Sequence, residues 1–159
     1  MTLQKSVNSK QAFGLVGTFY DTSARTVAPY NLKAAGDVLP TIGCAFTTSA
    51  AAPHNATIGD GDVFAGILVS PHEYIINGLS ASLELADGTI GELCTKGHIV
   101  VQSETAVNVG YVAAYSKTTG KISAYATAGD VPNTHVQIAG AKFVYENAAV
   151  GEVSILELN

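Results

Sequence analysis

Charged side chains are scarce in this chain of 159 residues. Asp, Glu, Lys and Arg make up 13% of the sequence, about half the usual share in a soluble domain. Eight Lys and Arg against 13 Asp and Glu leave a net charge of −5, so the basic stripe that nucleic-acid binding requires is missing. Hydrophobic residues amount to 47%, which excludes an intrinsically disordered chain.

Long hydrophobic runs are also missing. No stretch approaches the roughly 18 consecutive apolar residues of a membrane-spanning helix, because Asp, Gly, Pro or Thr interrupts each of them. The first ten residues are polar and lack the apolar segment of a secretory signal peptide. These absences predict a soluble, acidic protein of a single domain that contacts no membrane.

Cysteine and histidine are few and dispersed. Cys44 and Cys94 lie in apolar surroundings, with no Cys-x-x-Cys pair and no Cys/His cluster of zinc-binding spacing. A disulfide between them and two buried thiols are both compatible with the sequence, and the missing secretion signal favours the thiols. We predict no metal site, no cofactor and no catalytic residue. The histidines, none of them at a metal-binding spacing, are His54, His72, His98 and His135.

Tryptophan is absent, which weakens a carbohydrate-binding interpretation because sugars usually stack on exposed aromatic side chains. Tyrosine is the main aromatic residue, and Tyr111, Tyr115 and Tyr125 fall on one predicted hairpin. The first two share a face, since side chains alternate along a strand. We interpret them as core or cross-strand packing.

Short runs of β-branched and aromatic residues, separated by Gly, Pro, Asn and Asp, fill the sequence. This pattern predicts an all-β fold, a single-domain β-sandwich or β-barrel of about ten short strands. An extended N-terminal arm (residues 1–12) would precede a β-rich domain (residues 13–159). The predicted strands are residues 13–20, 40–47, 62–70, 73–77, 89–95, 98–102, 111–116, 121–125, 136–145 and 152–158.

Several local features refine this fold. Gly120 suits the tight turn of a hairpin between residues 111–115 and 121–125, and a change of phase near Gly140 predicts a bulge. Apolar residues on both faces of the last strand indicate a central strand or one covered by another subunit. Residues 47–62 read as a small-residue loop. The only helical structure that the sequence allows is one turn at residues 32–38 and another at residues 103–107.

A series of segments resembles, in the same order, the capsid cement (decoration) proteins of tailed bacteriophages. Each motif alone is an unspecific combination of strand and turn residues. The resemblance rests on their shared order along nearly the whole chain. The closing segments correspond to that family's Gly-Ala-x-Phe strand and Val-Glu-Leu end. The matching segments are residues 13–19 (FGLVGTF), 43–46 (GCAF), 63–69 (VFAGILV), 91–101 (GELCTKGHIVV), 107–112 (VNVGYV), 119–122 (TGKI), 140–143 (GAKF) and 153–159 (VSILELN).

The resemblance implies a structural role. Such proteins bind the outer surface of the icosahedral capsid after it expands, bridge neighbouring major capsid subunits and catalyse nothing. They are β-rich, are made in the host cytoplasm, and assemble as dimers or trimers. The low charge agrees with a chain that lies against other chains, although a thin β fold with small surface residues explains it equally well. The alternatives are a β-sandwich binding module for a glycan or host-surface ligand and, third, an enzyme on a β-barrel.

The N-terminal arm is the sequence's candidate for contact with the capsid or another partner. It is too polar to pack into its own core and too short to fold alone. Its aliphatic residues Leu3 and Val7 lie on one side of an extended segment, and Lys5 and Lys10 supply a quarter of the cations of the chain. We expect the arm to tether the protein to a partner, for example by adding to an exposed strand edge. A plain tail is the alternative.

Overall fold

The structure, a computed structural model, describes residues 14–59, 61–70, 84–147 and 149–159. These residues form nine β-strands and one 3-10 turn at Ala128–Asp130. The all-β fold predicted from the sequence is confirmed, in a single domain of barrel type. The strands are β1 (Thr26–Lys33), β2 (Ala45–Ser49), β3 (Ala52–Ile58), β4 (Val63–Leu68), β5 (Ile90–Gln102), β6 (Val112–Ser116), β7 (Ile122–Tyr125), β8 (His135–Phe143) and β9 (Val153–Leu158).

Strand β5, at 13 residues, is shared by two closed rings of strands. The first ring runs β1-β3-β2-β4-β5 and closes because β1 also pairs with β5. The second runs β5-β9-β8-β6-β7. It closes because the chain just after β5 meets β7: Ser103 bridges Ile122, and the Thr105 hydroxyl donates to the Ala124 carbonyl at 2.9 Å. The molecule is therefore two barrels fused along one strand.

The molecule has two hydrophobic cores, one within the first barrel and a second that joins the second barrel to Ala45 of β2 and Ile67 of β4. Leu93 packs in the first core with Phe46, whereas its neighbour Cys94 packs in the second core with Phe143. Successive side chains of a strand point to opposite faces, so the shared strand supplies residues to both cores. This alternation locks the two barrels into one body.

The predicted hairpin is present. β6 and β7 pair antiparallel, with Tyr115 opposite Ile122, and Gly120 adopts a left-handed conformation with φ of +67°. The bulge predicted near Gly140 is also present: β8 pairs with β6 at residues 135–137 and again at Lys142, with a register shift between. The last strand, β9, lies between β5 and β8, which is the central position that its two apolar faces indicated.

Two strands were missed by the sequence prediction. β3 lies inside residues 47–62, which were assigned to a loop, and β1 occupies residues that carried no strand assignment. Both contain proline, which usually marks a strand edge or a loop. In β1, Pro29 pairs with β5, and β3 pairs with β1 only from Asn31 onward. Proline is tolerated there because no strand on that side needs its missing N–H.

Other local assignments were wrong. Residues 14–20 form no strand, although their backbone bridges β5 at Phe19 and hydrogen-bonds to it on either side. Residues 89–95 and 98–102 belong to one continuous strand, β5, and β2 begins only at Ala45. The helical turns at 32–38 and 103–107 are absent, since both stretches are held by strand pairing or isolated bridges. The arm (1–12) and the predicted strand at 73–77 lie outside the described residues.

Candidate interaction surface

A groove lies where the two barrels meet. Its volume is about 300 Å³, at the lower end of the range for ligand pockets. One wall comes from Val16 and the connection between β1 and β2, and the other from the end of β5, the start of β7 and the chain before β9. The lining residues are Val16, Thr41, Ile42, Gly43, Cys44, Gln102, Ser103, Glu104, Lys121, Ile122, Val150 and Gly151.

The mouth of the groove is apolar and exposed. Val150 is 70% exposed, and Leu15, which precedes the wall residue Val16, is 77% exposed. Large aliphatic side chains left in water at a concave site are typical of a surface that contacts another chain. An ion pair between Lys121 Nζ and Glu104 Oε1, at 3.3 Å, lies on the rim.

The backbone around the groove already has hydrogen-bond partners. The Ser103 amide donates to the Glu152 carbonyl at 3.2 Å, and the Gly151 amide donates to the Ser103 carbonyl at 2.8 Å. The Gln102 side-chain amide donates to the Gly151 carbonyl at 2.7 Å. The groove therefore offers apolar walls to a side chain and not a strand edge to a backbone.

Ser23, Asp21 and His98 form a polar cluster, the residue types of a hydrolytic triad. The Ser23 hydroxyl donates to Asp21 Oδ1 at 2.5 Å, and His98 Nδ1 lies 2.7 Å from Asp21 Oδ2. The hydrogen bond from Ser23, helped by His98, holds the pKa of the Asp21 carboxyl below its usual value. In a triad the serine faces the histidine nitrogen that the aspartate leaves free; here serine and histidine both bind the carboxylate, and the cluster fastens the loop before β1 to β5.

The two cysteines are free thiols, and both are buried. Burial raises the pKa of the Cys44 thiol to about 12 and raises the pKa of the Cys94 thiol as well. The thiols are therefore protonated near neutral pH and poor nucleophiles. The interpretation as two buried thiols is confirmed.

The other residues singled out by the sequence are separate from one another. His54 lies on β3 and is exposed, and His135 begins β8, where it packs edge-on against Tyr125. Tyr115 is buried in the second core and stacks on Phe64, as the packing interpretation predicted. His72 and the arm residues Leu3, Lys5, Val7 and Lys10 fall outside the described residues.

The described residues contain neither a metal-binding cluster nor a membrane-spanning helix. No group of three His, Cys, Asp or Glu side chains in that part of the chain is placed to hold a metal ion. No helix there is long and apolar enough to cross a membrane. The sequence did not indicate the groove between the barrels, because its lining comes from five separate segments.

Comparison with known proteins identifies the family. The model of the structural cement protein family (E217 gp24/Pam3 gp6) matches residues 3–159. Among solved structures, a chain from the capsid of Myoviridae phage XM1 has a similar fold, with a TM-score of 0.63 and 16% sequence identity. The match covers 100% of this chain and 98% of that one. No curated protein gives a significant match. The chain belongs to the phage structural cement proteins, a family of virion proteins associated with the capsid.

Proposed function

We propose that this protein binds the outer surface of the icosahedral capsid, bridges neighbouring major capsid subunits and stabilises the expanded shell without catalysing a reaction. The observation that carries the proposal is the family match over residues 3–159. The protein would be made in the host cytoplasm and act on the assembled virion. It needs neither cofactor nor metal for this role, because contacts with the capsid subunits are sufficient to hold them together.

The surface of the described residues supports a bridging role. Exposed aliphatic side chains occur at separate places: Val150 at the groove, Leu15 next to the groove residue Val16, and Val109 at the turn before β6. That turn lies beside Val144, since the Gly110 amide donates to the Phe143 carbonyl at 2.8 Å. A protein that joins two subunits needs at least two such contact regions, and the fused barrels hold them in a fixed relation.

We also propose that the protein acts as a homo-oligomer, a dimer or trimer. Charged residues make up only 13% of the chain, and aliphatic side chains remain exposed on the described surface. A specific interface of ordinary size would bury about 800 Å² on each partner. A second copy can cover apolar groups that the fold leaves in water.

The experiment that tests the capsid function is reconstitution on expanded shells that lack this protein. Purified full-length protein should bind to saturation at a fixed copy number and raise the temperature or force at which the shell breaks. Unexpanded shells are the matched control and should bind little. Expanded shells that take up no protein, or that take it up without becoming more stable, would contradict the proposal.

The N-terminal arm is expected to add affinity in the same experiment. Deleting residues 1–11 removes Leu3, Lys5, Val7 and Lys10, the residues proposed to contact a partner. We expect shell binding to weaken at least several-fold, because a second attachment point multiplies the overall affinity. The melting temperature of the isolated protein should change little, since the arm is too polar to belong to the core. Unchanged shell occupancy would refute the tether.

A further inference from the structure

We propose that the groove between the barrels receives the Leu3 and Val7 side chains from the N-terminal segment of a second copy of this chain, so that neighbouring copies exchange arms. The inference rests on the proposed homo-oligomer and names its contact. Its starting point is that Val150, which lines an apolar groove, remains exposed, as does Leu15 next to the lining residue Val16.

The described chain begins at the groove itself. A Cβ atom on Gly14 would lie 3.8 Å from Val100 Cγ2, and the Gly17 amide donates to the Val100 carbonyl at 2.8 Å. Val16, between these anchors, forms part of the groove wall. The first described residues of the chain therefore lie beside the groove of their own copy.

The segment is long enough to reach a neighbour. Thirteen extended residues span roughly 43 Å, and a compact domain of this length is about 40 Å across by the usual scaling of the radius of gyration. Leu3 lies eleven residues before Gly14, which places it roughly 36 Å away in an extended chain. Residues 1–13 contain neither Gly nor Pro, the two residues that interrupt extended chain most strongly. An extended segment of this length favours the groove of a neighbouring copy over the groove of its own.

The order of side chains in the segment matches the groove. Leu3, Lys5 and Val7 alternate onto one side of an extended chain. The groove presents apolar walls and a rim ion pair between Glu104 and Lys121, whose side chains are 44% and 55% exposed. Leu3 and Val7 thus meet apolar walls, and Lys5 between them shares Glu104 with Lys121. Since the backbone near the groove has its hydrogen bonds, side chains and not an added strand make the contact.

Net charge favours the same partner. The first 13 residues carry two lysines and no acidic residue, whereas the rest of the chain carries six cations and 13 acidic residues. A cationic segment is therefore attracted to the anionic body of another copy, and the attraction weakens as salt is added. Exchange would bind each copy through two such contacts, which raises the stability of the assembly.

Disulfide trapping between separately marked chains tests the exchange. The chain with Leu3→Cys is co-expressed with a chain that carries Val150→Cys and a C-terminal tag that changes its size. Both positions are suitable, because Val150 is exposed and the native thiols are buried. After mild oxidation we expect a crosslinked band of mixed size, at least five-fold stronger than with Val63→Cys in place of Val150→Cys. Val63 is also exposed, but it begins β4 in the first barrel, away from the groove.

Three results would overturn the exchange. They are a mixed band of equal strength with Val63→Cys, no mixed band at all, and loss of free thiols without a change in size when one chain carries both Leu3→Cys and Val150→Cys. The last result would assign the groove to the segment of the same chain. Light scattering of the wild type should give a multiple of 16.3 kDa, and a monomer at micromolar concentration would overturn both the exchange and the oligomer.

The shell-binding assay separates this inference from the capsid function. If the wild-type protein binds expanded shells but the Leu3→Cys and Val150→Cys chains form no mixed disulfide, arm exchange is overturned and the cement function stands. A mixed disulfide in a protein that does not bind shells would support arm exchange and contradict the cement function.

Discussion

Replacing Phe46 with alanine is expected to lower the free energy of unfolding by about 3–5 kcal/mol, and Phe143→Ala by a similar amount. Both side chains are fully buried, Phe46 in the first core and Phe143 in the second. Each substitution removes apolar contact and leaves a cavity that the surrounding strands cannot close. Because β5 supplies residues to both cores, we expect each variant to shift one common unfolding transition.

Urea unfolding followed by far-ultraviolet circular dichroism and tyrosine fluorescence measures both effects. Protomer concentration is held fixed, since association changes apparent stability. Val109→Ala is the matched control, because Val109 is 65% exposed and should change stability by no more than about 0.5 kcal/mol. Two separate transitions, with only one moved by each phenylalanine variant, would show that the barrels unfold independently.

Gly120→Ala is expected to destabilise the protein by at least about 3 kcal/mol, more than the roughly 1 kcal/mol that a left-handed conformation alone costs a residue with a side chain. An added Cβ would lie 2.6 Å from the Ala45 carbonyl oxygen and 2.6 Å from Ile58 Cγ1. The Gly120 carbonyl also accepts a hydrogen bond from the Ala45 amide at 2.7 Å. The turn between β6 and β7 therefore presses directly on the first barrel.

Gly36→Ala measures how much stability is lost through the left-handed backbone conformation alone, without a steric clash. Gly36 has φ of +62°, close to the +67° of Gly120, but no atom lies within 4 Å of an added Cβ. The difference in unfolding free energy between the two variants then measures the contact between the hairpin and the first barrel. Equal losses of stability would contradict a tight contact there.

The barrel contact also bears on the proposed function. The groove is formed by residues of both barrels, with Ile42 on one side and Ile122 on the other. A loosened contact at Gly120 would therefore change the groove as well as the stability. Gly120→Ala should reduce the Leu3–Val150 crosslink, whereas Gly36→Ala should leave it unchanged.

The candidate surface could not be predicted from the sequence. Its lining residues are separated by up to 135 positions, from Val16 to Gly151, and each is ordinary in its local context. The arm residues Leu3, Lys5, Val7 and Lys10 were selected by their polarity pattern, and their role as partner contacts stays a prediction. A site such as a metal cluster can be predicted from sequence when its ligands follow a local spacing. A groove between two barrels cannot, because it depends on how distant segments of the chain meet.

The sequence by itself determined the all-β class, the hairpin at Gly120 and the family, and it favoured buried thiols over a disulfide. These features depend on local rules: alternation along a strand, glycine at a turn with positive φ, and a fixed order of short motifs. Tertiary structure alone decided that β5 is one strand shared by two barrels, that β1 accommodates Pro29, and that β3 fills a stretch that reads as a loop. In each case pairing with a distant strand outweighed the local preference, because backbone groups that are buried on folding must find hydrogen-bond partners wherever the chain supplies them.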